Sequence, residues 1–306
     1  MRETRTASFF VAPPTDFKVT ELYDTMNDKD IRETLLEGER LDEVNEHITL
    51  IQKSDGLTFG TDAYLLAAFI RPKGRARAVE LGAGTGIISL LLASRKKFAD
   101  CVAVELQTEF ATLTERNVAL NHLSSVISVE NLDVRELSPA RLGYEADIVF
   151  TNPPYMKTSS GKANQSSMKN IARHETAGDI GDFCRTASRL LKHGGYFYCV
   201  YRPDRLSDLF RALSESSLEP KRMTFVAADN ETPPSMVLLE CIKGGASGLN
   251  VTPPLILYRE TADRSAKREM TEDALRVYET CALYPTQKKK AEGSPSAHHR
   301  KGEPST

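Results

Sequence analysis

Residues 78–94 constrain the fold of this chain more than any other stretch. Ala78–Leu81 is an apolar run of strand length, and Ile87–Ser94 is an apolar run that reads as a helix. Between them Gly82, Gly84 and Gly86 stand at alternate positions. A strand that turns this sharply into a helix needs backbone that side chains would obstruct, and the turn brings bare main chain close to whatever binds there. An apolar strand followed at once by an apolar helix is the unit of a parallel sheet covered on both faces.

The rest of the chain repeats that unit. Cys101–Glu105, Val126–Glu130, Ala146–Phe150 and Tyr196–Tyr201 read as strands. Thr108–Asn121 reads as a helix with Thr108 as its N-cap. A helix over 179–192 is expected to stop at Gly194-Gly195, and Pro203 opens a helix over Asp204–Ser214. Lys221–Ala227 and Met236–Ile242 are nearly contiguous strands and are expected to pair antiparallel. The fold class is therefore α/β: a doubly wound, Rossmann-like sheet, mostly parallel with an antiparallel terminal strand.

Composition narrows the class of protein. Charged residues make up 27% and apolar residues 40%, as in soluble globular chains, and the net charge is −2. The longer apolar stretches, such as Leu65–Ile70, fall far short of the roughly 18–20 residues of a spanning helix, so no membrane association is expected. No signal-peptide pattern opens the chain. The five cysteines are scattered without a CxxC pair, which argues against disulfides and zinc and for a reducing, cytoplasmic setting. Residues 1–50 carry six basic and twelve acidic residues, and 286–306 carry five basic and two acidic ones without apolar period. Three segments are expected: an acidic N-terminal extension over 1–40, a catalytic domain over 41–284, and a basic disordered tail over 285–306.

Four signals along the sheet point to chemistry. The glycine loop has GxGxG spacing rather than the GxGxxG of dinucleotide folds. With Glu80 just before it, this loop is of the kind that wraps the amino-acid end of S-adenosylmethionine. Glu105 ends the second strand of this unit, 19 residues past Gly86, where a carboxylate can accept both hydroxyls of a ribose. Asp133 follows the third strand, where it can accept an adenine amine. Asn152-Pro153-Pro154-Tyr155 follows the fourth, at the carboxyl edge of the sheet. An exocyclic amine is a poor nucleophile because its lone pair is delocalised into the ring. The Asn152 side-chain oxygen and the Pro153 carbonyl can hold its two hydrogens and favour a pyramidal nitrogen, stabilising the charge that develops on it. Pro153 and Pro154 stiffen the loop, and Tyr155 offers a face for stacking a flipped base.

With this last motif the chain resembles the class I methyltransferases that act on planar amines through Asn/Asp-Pro-Pro-aromatic. Three further segments narrow the resemblance: Asp55–Asp62, Arg173-His174-Glu175, and Thr252–Tyr258. They are similar to segments of the bacterial tRNA1(Val) (adenine-N(6))-methyltransferases, and the likeness covers about residues 40–280. The resemblance implies S-adenosylmethionine as cofactor, tRNA as partner and N(6)-methyladenosine at position 37 as product. It implies that Thr61 and Asn152 also lie beside the cofactor. Read without it, Thr61 or Asp62 is simply an N-cap, and Arg173 with Glu175 a surface ion pair. Residues 151–173 hold Lys157, Lys162, Lys169 and Arg173 and no acid, which suits a loop that meets RNA phosphates. His174 joins them as an expected RNA contact. The resemblance begins around Gly38–Leu41, and Met26 offers an alternative start, so residues 1–25 are expected to be dispensable. No metal and no obligate protein partner are expected.

Other readings stay open at this point. A protein glutamine is also a planar amide, but enzymes of that kind usually carry a helical substrate domain before the glycine strand, and the acidic arm here fits poorly. Ribosomal RNA or DNA bases are alternatives within the same chemistry. A nucleic-acid-binding protein with an inactive fold is opposed by the intact glycine and Asn152–Tyr155 sets. A dehydrogenase is opposed by the glycine spacing.

Overall fold

The structure is a computed structural model that describes residues 34–54, 60–153, 178–260 and 268–283. An antiparallel hairpin, β1 (Glu39–Asn45) and β2 (Ile48–Lys53), precedes the main sheet. Helix α1 (Thr61–Phe69) follows, then β3 (Arg77–Leu81), α2 (Ile87–Ser94), β4 (Asp100–Glu105), α3 (Thr108–Leu120) and β5 (Ile127–Asn131). A short helix α4 (Pro139–Leu142) leads to β6 (Ala146–Thr151), then α5 (Ile180–Leu190) and β7 (Leu191–Tyr201). Helix α6 (Leu206–Glu215), β8 (Leu218–Ala227), β9 (Met236–Lys243), the two-residue strands β10 (Asn250–Val251) and β11 (Leu255–Ile256), and α7 (Glu272–Thr280) complete it.

The sheet order is β10-β8-β9-β7-β6-β3-β4-β5, with β11 also on β8. Strands β3 to β7 are parallel, and β9 lies antiparallel between β7 and β8. The doubly wound, mostly parallel sheet with an antiparallel terminal strand is thus as the sequence implies. From β3 the chain winds outward through β4 and β5, then crosses back to place β6 on the other side of β3. That reversal opens a crevice at the carboxyl ends of β3 and β6.

Side chains alternate between two cores, as period-two strands require. Ala78, Ala103, Ile148 and Tyr198 pack under α1, α2 and α7. Val79, Val104, Val149 and Phe197 pack under α5 and α6. Helices α1 and α2 are apolar almost all round and are accordingly buried. Buried Lys97 donates to the carbonyls of Ala67 (2.7 Å) and Ile70 (2.8 Å) at the end of α1, and burial lowers its pKa to about 8.

Two local expectations are corrected. Thr108 is the first residue of α3 rather than its cap. Gln107 takes the cap position, and the Thr108 hydroxyl instead donates to Asn131 Oδ1 at 2.8 Å. The helix before Gly194-Gly195 ends at Leu190, and β7 starts at once and runs through both glycines. The reason is a bulge: β6 advances two residues, from Ala146 to Ile148, while β7 advances from Leu191 to Tyr196. A Cβ on Gly195 would lie 2.9 Å from the Lys192 carbonyl. The glycines serve the strand, not the helix end.

Candidate active site

The glycine loop is built as a set of straps. Gly82 and Ala83 donate their N–H groups to the Val104 carbonyl (2.9 and 3.0 Å), which draws the loop toward the end of β4. The Glu105 carboxylate accepts from Gly84 N–H and Gln107 N–H, both at 2.9 Å. Helix α3 holds the loop from behind: the Thr114 hydroxyl donates to the Gly84 carbonyl (2.7 Å) and Asn117 Nδ2 to the Thr85 carbonyl (3.0 Å). All three glycines have positive φ, +73°, +59° and +79° in order. A Cβ on Gly86 would sit 2.7 Å from Thr114 Cγ2, whereas one on Gly84 would meet nothing within 4 Å. The loop is packed on one side and bare on the other.

The acids on this edge have different surroundings. Glu80 is 1% exposed and accepts from the Ser89 N–H (3.1 Å) and the Ser89 hydroxyl, so it ties β3 to the first turns of α2. Burial pushes its pKa up to about 8. Its side chain thus supports the loop from beneath. Glu105 is buried at the end of β4, and burial raises its pKa against the lowering effect of the backbone N–H groups it accepts from. Asp133 accepts from the Arg135 side chain and from Arg135 N–H (2.9 Å), and that guanidinium holds its carboxyl below the usual range. Asp133 therefore already has a cationic partner, which an adenine amine would have to share.

Asn152 leaves the end of β6 beside this loop. The Thr151 hydroxyl donates to the Leu81 carbonyl at 2.7 Å, one residue before Gly82, and so couples β6 to the loop. Asn152 Nδ2 donates to Asp62 Oδ2 at 2.9 Å, and Pro153 is buried. Thr61 opens α1, but the N-cap position belongs to Gly60; Asp62, one residue inside the helix, accepts from the first-turn N–H of Ala63 through Oδ1 (2.9 Å). Beside Asp62 lies a cleft of about 590 Å³ whose walls include Thr61, Met236 and the paired Arg202 and Asp204 (2.6 Å).

The structure thus brings Glu80, Gly82, Gly84, Gly86, Glu105, Thr61 and Asn152 to one edge of the sheet, with Asp133 turned to Arg135. Pro154, Tyr155, Lys157, Lys162, Lys169, Arg173 and His174 lie outside the described residues. Sequence reasoning missed Ser89, Thr114, Asn117 and the Asp62–Asn152 bond. Asn117 on α3 and Asn121 at its C-cap, four apart, were a readable sign of a polar stripe facing backbone. Asn117 exchanges hydrogen bonds with Ile51 N–H (2.7 Å) and C=O (3.2 Å), and Asn121 with those of Thr49 (3.0 and 2.7 Å). The two amides pair with β2 as another strand would.

Comparison with known proteins agrees with this geometry. The methyltransferase small domain family matches residues 54–215. The tRNA1(Val) (adenine(37)-N6)-methyltransferase of Escherichia coli O157:H7 is 31% identical over 182 residues, 59% of this chain and 73% of that protein. The protein of the same name from Bacteroides fragilis is 32% identical over 181 residues, 59% of this chain and 75% of its own. A predicted O-methyltransferase from Agrobacterium tumefaciens of solved structure shares the fold, with a TM-score of 0.58 and 23% identity over 74% of this chain and 100% of that one. With the family matched across more than half of its length, this chain belongs to the methyltransferase small domain family and is a methyltransferase.

Proposed function

We propose that the chain transfers a methyl group from S-adenosylmethionine to the exocyclic N(6) of an adenine in tRNA, and that residues 41–284 form the catalytic unit. The observation that carries this reading is that Thr151, the residue before Asn152, is bonded to Leu81, the residue before the glycine loop, at the point where the sheet reverses its winding. The names of the relatives in E. coli and B. fragilis direct it to adenine 37 of tRNA1(Val).

The residues present suit the cofactor. The open space over Gly84 admits a ligand against bare backbone. Gly82, Gly84 and Gly86, with Glu80 stiffening the loop from below and Thr61 nearby, would hold the amino-acid end. Glu105 Oε2 takes Gly84 N–H and Oε1 takes Gln107 N–H, and a carboxylate has about four acceptor sites, so capacity remains for the ribose hydroxyls. Asp133 would reach the adenine only while sharing its carboxylate with Arg135. When bound, the cofactor supplies an electrophilic methyl group on a sulfonium.

The chain's own residues prepare the nucleophile. Asn152 Oδ1 and the Pro153 carbonyl hold the two amine hydrogens of the target and turn its lone pair out of conjugation. Both acceptors gain strength as positive charge grows on that nitrogen, so they favour the transition state over the bound substrate. The ring of Pro154 fixes its own φ, and Tyr155 would offer its face to the base. Lys157, Lys162, Lys169, Arg173 and His174 contribute phosphate and base contacts, which makes RNA binding depend on salt.

The test is transfer of labelled methyl from S-adenosylmethionine to bulk unmodified tRNA, with nucleoside analysis, beside Asn152→Ala. Wild type should yield N(6)-methyladenosine, and the variant should lose about 10²–10³ in turnover while keeping cofactor affinity. Absence of label from tRNA would discard that substrate and direct the search to ribosomal RNA, DNA and protein glutamine in turn.

A further inference from the structure

We propose that Asp62 is a positioning residue for the methyl transfer, holding the Asn152 amide in one orientation and raising the negative charge on its oxygen. The inference rests on the role given above to Asn152.

Asp62 belongs to the first turn of α1, far along the chain from Asn152. Its platform is rigid. Every residue of α1 from Ala63 to Phe69 is buried, and Lys97 closes the far end of the helix. One carboxylate oxygen, Oδ1, accepts from Ala63 N–H at 2.9 Å; the other, Oδ2, accepts from Asn152 Nδ2 at 2.9 Å. Gly60 provides the seat, because a Cβ there would lie 2.5 Å from Asp62 Oδ1. Any side chain at position 60 would push the carboxylate off its place.

The chemistry follows from the donor and acceptor inventory. A primary amide can turn over and exchange its oxygen for its nitrogen at little intrinsic cost. A carboxylate only accepts, so it selects the Asn152 nitrogen and commits the oxygen to the opposite side. A hydrogen bond from an amide N–H to a charged acceptor is short and strong. It also polarises the amide, drawing electron density toward its oxygen and making that oxygen a better acceptor. That oxygen is the one assigned to the amine whose nitrogen becomes positive. Asp62 touches no reacting atom and acts through Asn152. An Asp in the first turn of a helix also has a plain structural use, since the carboxylate faces the positive end of the helix dipole. The two roles differ in what a substitution moves.

The experiment uses the full chain and compares wild type, Asn152→Ala, Asp62→Ala, Asp62→Asn and Gly60→Ala. Asp62→Ala should lower kcat by about 100-fold, with the KM values for S-adenosylmethionine and tRNA changing less than about threefold. Asp62→Asn should fall between, since a neutral amide still accepts but neither selects the Asn152 nitrogen nor polarises it. Gly60→Ala should lower kcat in the wild type and add nothing in the Asp62→Ala background, because both changes break the same contact. Unfolding midpoints should fall only slightly in the Asp62 variants, as loss of the helix-end contact requires, and Asp62→Asn and Asp62→Ala should differ more in kcat than in midpoint. A second readout needs no substrate: the Asn152 side-chain N–H signals, identified in proton–nitrogen correlation spectra by their loss in Asn152→Ala, should lie downfield and move upfield in Asp62→Ala. Unmoved signals, or full kcat in Asp62→Ala where Asn152→Ala is inactive, would overturn the proposal. An active Asn152→Ala, or a wild type that leaves tRNA unmethylated, would instead strike at the reading on which it stands, while the spectra still decide whether Asp62 holds the amide.

Discussion

Replacing Gly86 with alanine should destabilise the protein through a single methyl group. Gly86 has φ +79°, where an L-residue is strained by about 1–2 kcal/mol. The new Cβ would also lie 2.7 Å from Thr114 Cγ2, in a region without slack. Thr114 is fully buried and β-branched on a helix, so its χ1 is stiff, and its hydroxyl is engaged with the Gly84 carbonyl at 2.7 Å. Overpacking of this kind costs about 1–3 kcal/mol. Together the two effects predict a loss of about 2–5 kcal/mol, read from urea unfolding as a lower midpoint at unchanged slope. Threonine that yields must release Gly84, so affinity for S-adenosylmethionine should fall as well. The partner variant separates the causes. Thr114→Ser removes Cγ2 and keeps the hydroxyl, so Gly86→Ala in that background should cost only the conformational part, about 1–2 kcal/mol. Gly84→Ala gives the contrast. Its Cβ meets no protein atom, so it should unfold at nearly the wild-type midpoint apart from the φ cost, yet bind the cofactor poorly. An equal cost for Gly86→Ala with threonine or serine at 114, or a cost below about 1 kcal/mol, would refute the steric reasoning.

Two further outcomes concern stability. Asn117→Ala removes a fully buried amide that serves Ile51 N–H, Ile51 C=O and Thr85 C=O, and should lower unfolding free energy by about 2–4 kcal/mol, against about 1 kcal/mol for the partly exposed Asn121→Ala. Equal losses would show that burial of the Asn117 amide does not set the cost of removing it. Glu80 should make stability fall with rising pH: its folded pKa is about 8 while the unfolded side chain titrates near 4.3, so the native state holds a proton that the unfolded chain has released. The decline runs between about pH 4.5 and 8 at no more than about 1.4 kcal/mol per pH unit, and Glu80→Gln should flatten it. Melting curves of the two proteins that stay parallel from pH 5 to 8 would count against a protonated Glu80.

Residues 78–94 by themselves determined the centre of this protein. An apolar strand, three glycines at alternate positions and an apolar helix are local patterns, and the helix appears over Ile87–Ser94 as they imply. The same holds for Asn152 at the end of β6, because a strand of that length must deliver its next residue to the carboxyl edge. Only the tertiary structure decided the rest. Gly194-Gly195 read as a helix stop because such pairs often are, but the bulge that needs them arises from pairing with β6. Asp62 read as a possible N-cap because its local neighbours allow it; Gly60 takes that position, and while one Asp62 oxygen serves Ala63 N–H in the first turn, the other is claimed by Asn152, just past the end of β6. The hairpin β1–β2 carries no strong period, and the two amides of α3 that receive it lie more than sixty residues away. Periodicity reports which face of an element is buried. It is silent on which distant polar group arrives there, because that depends on how whole elements pack.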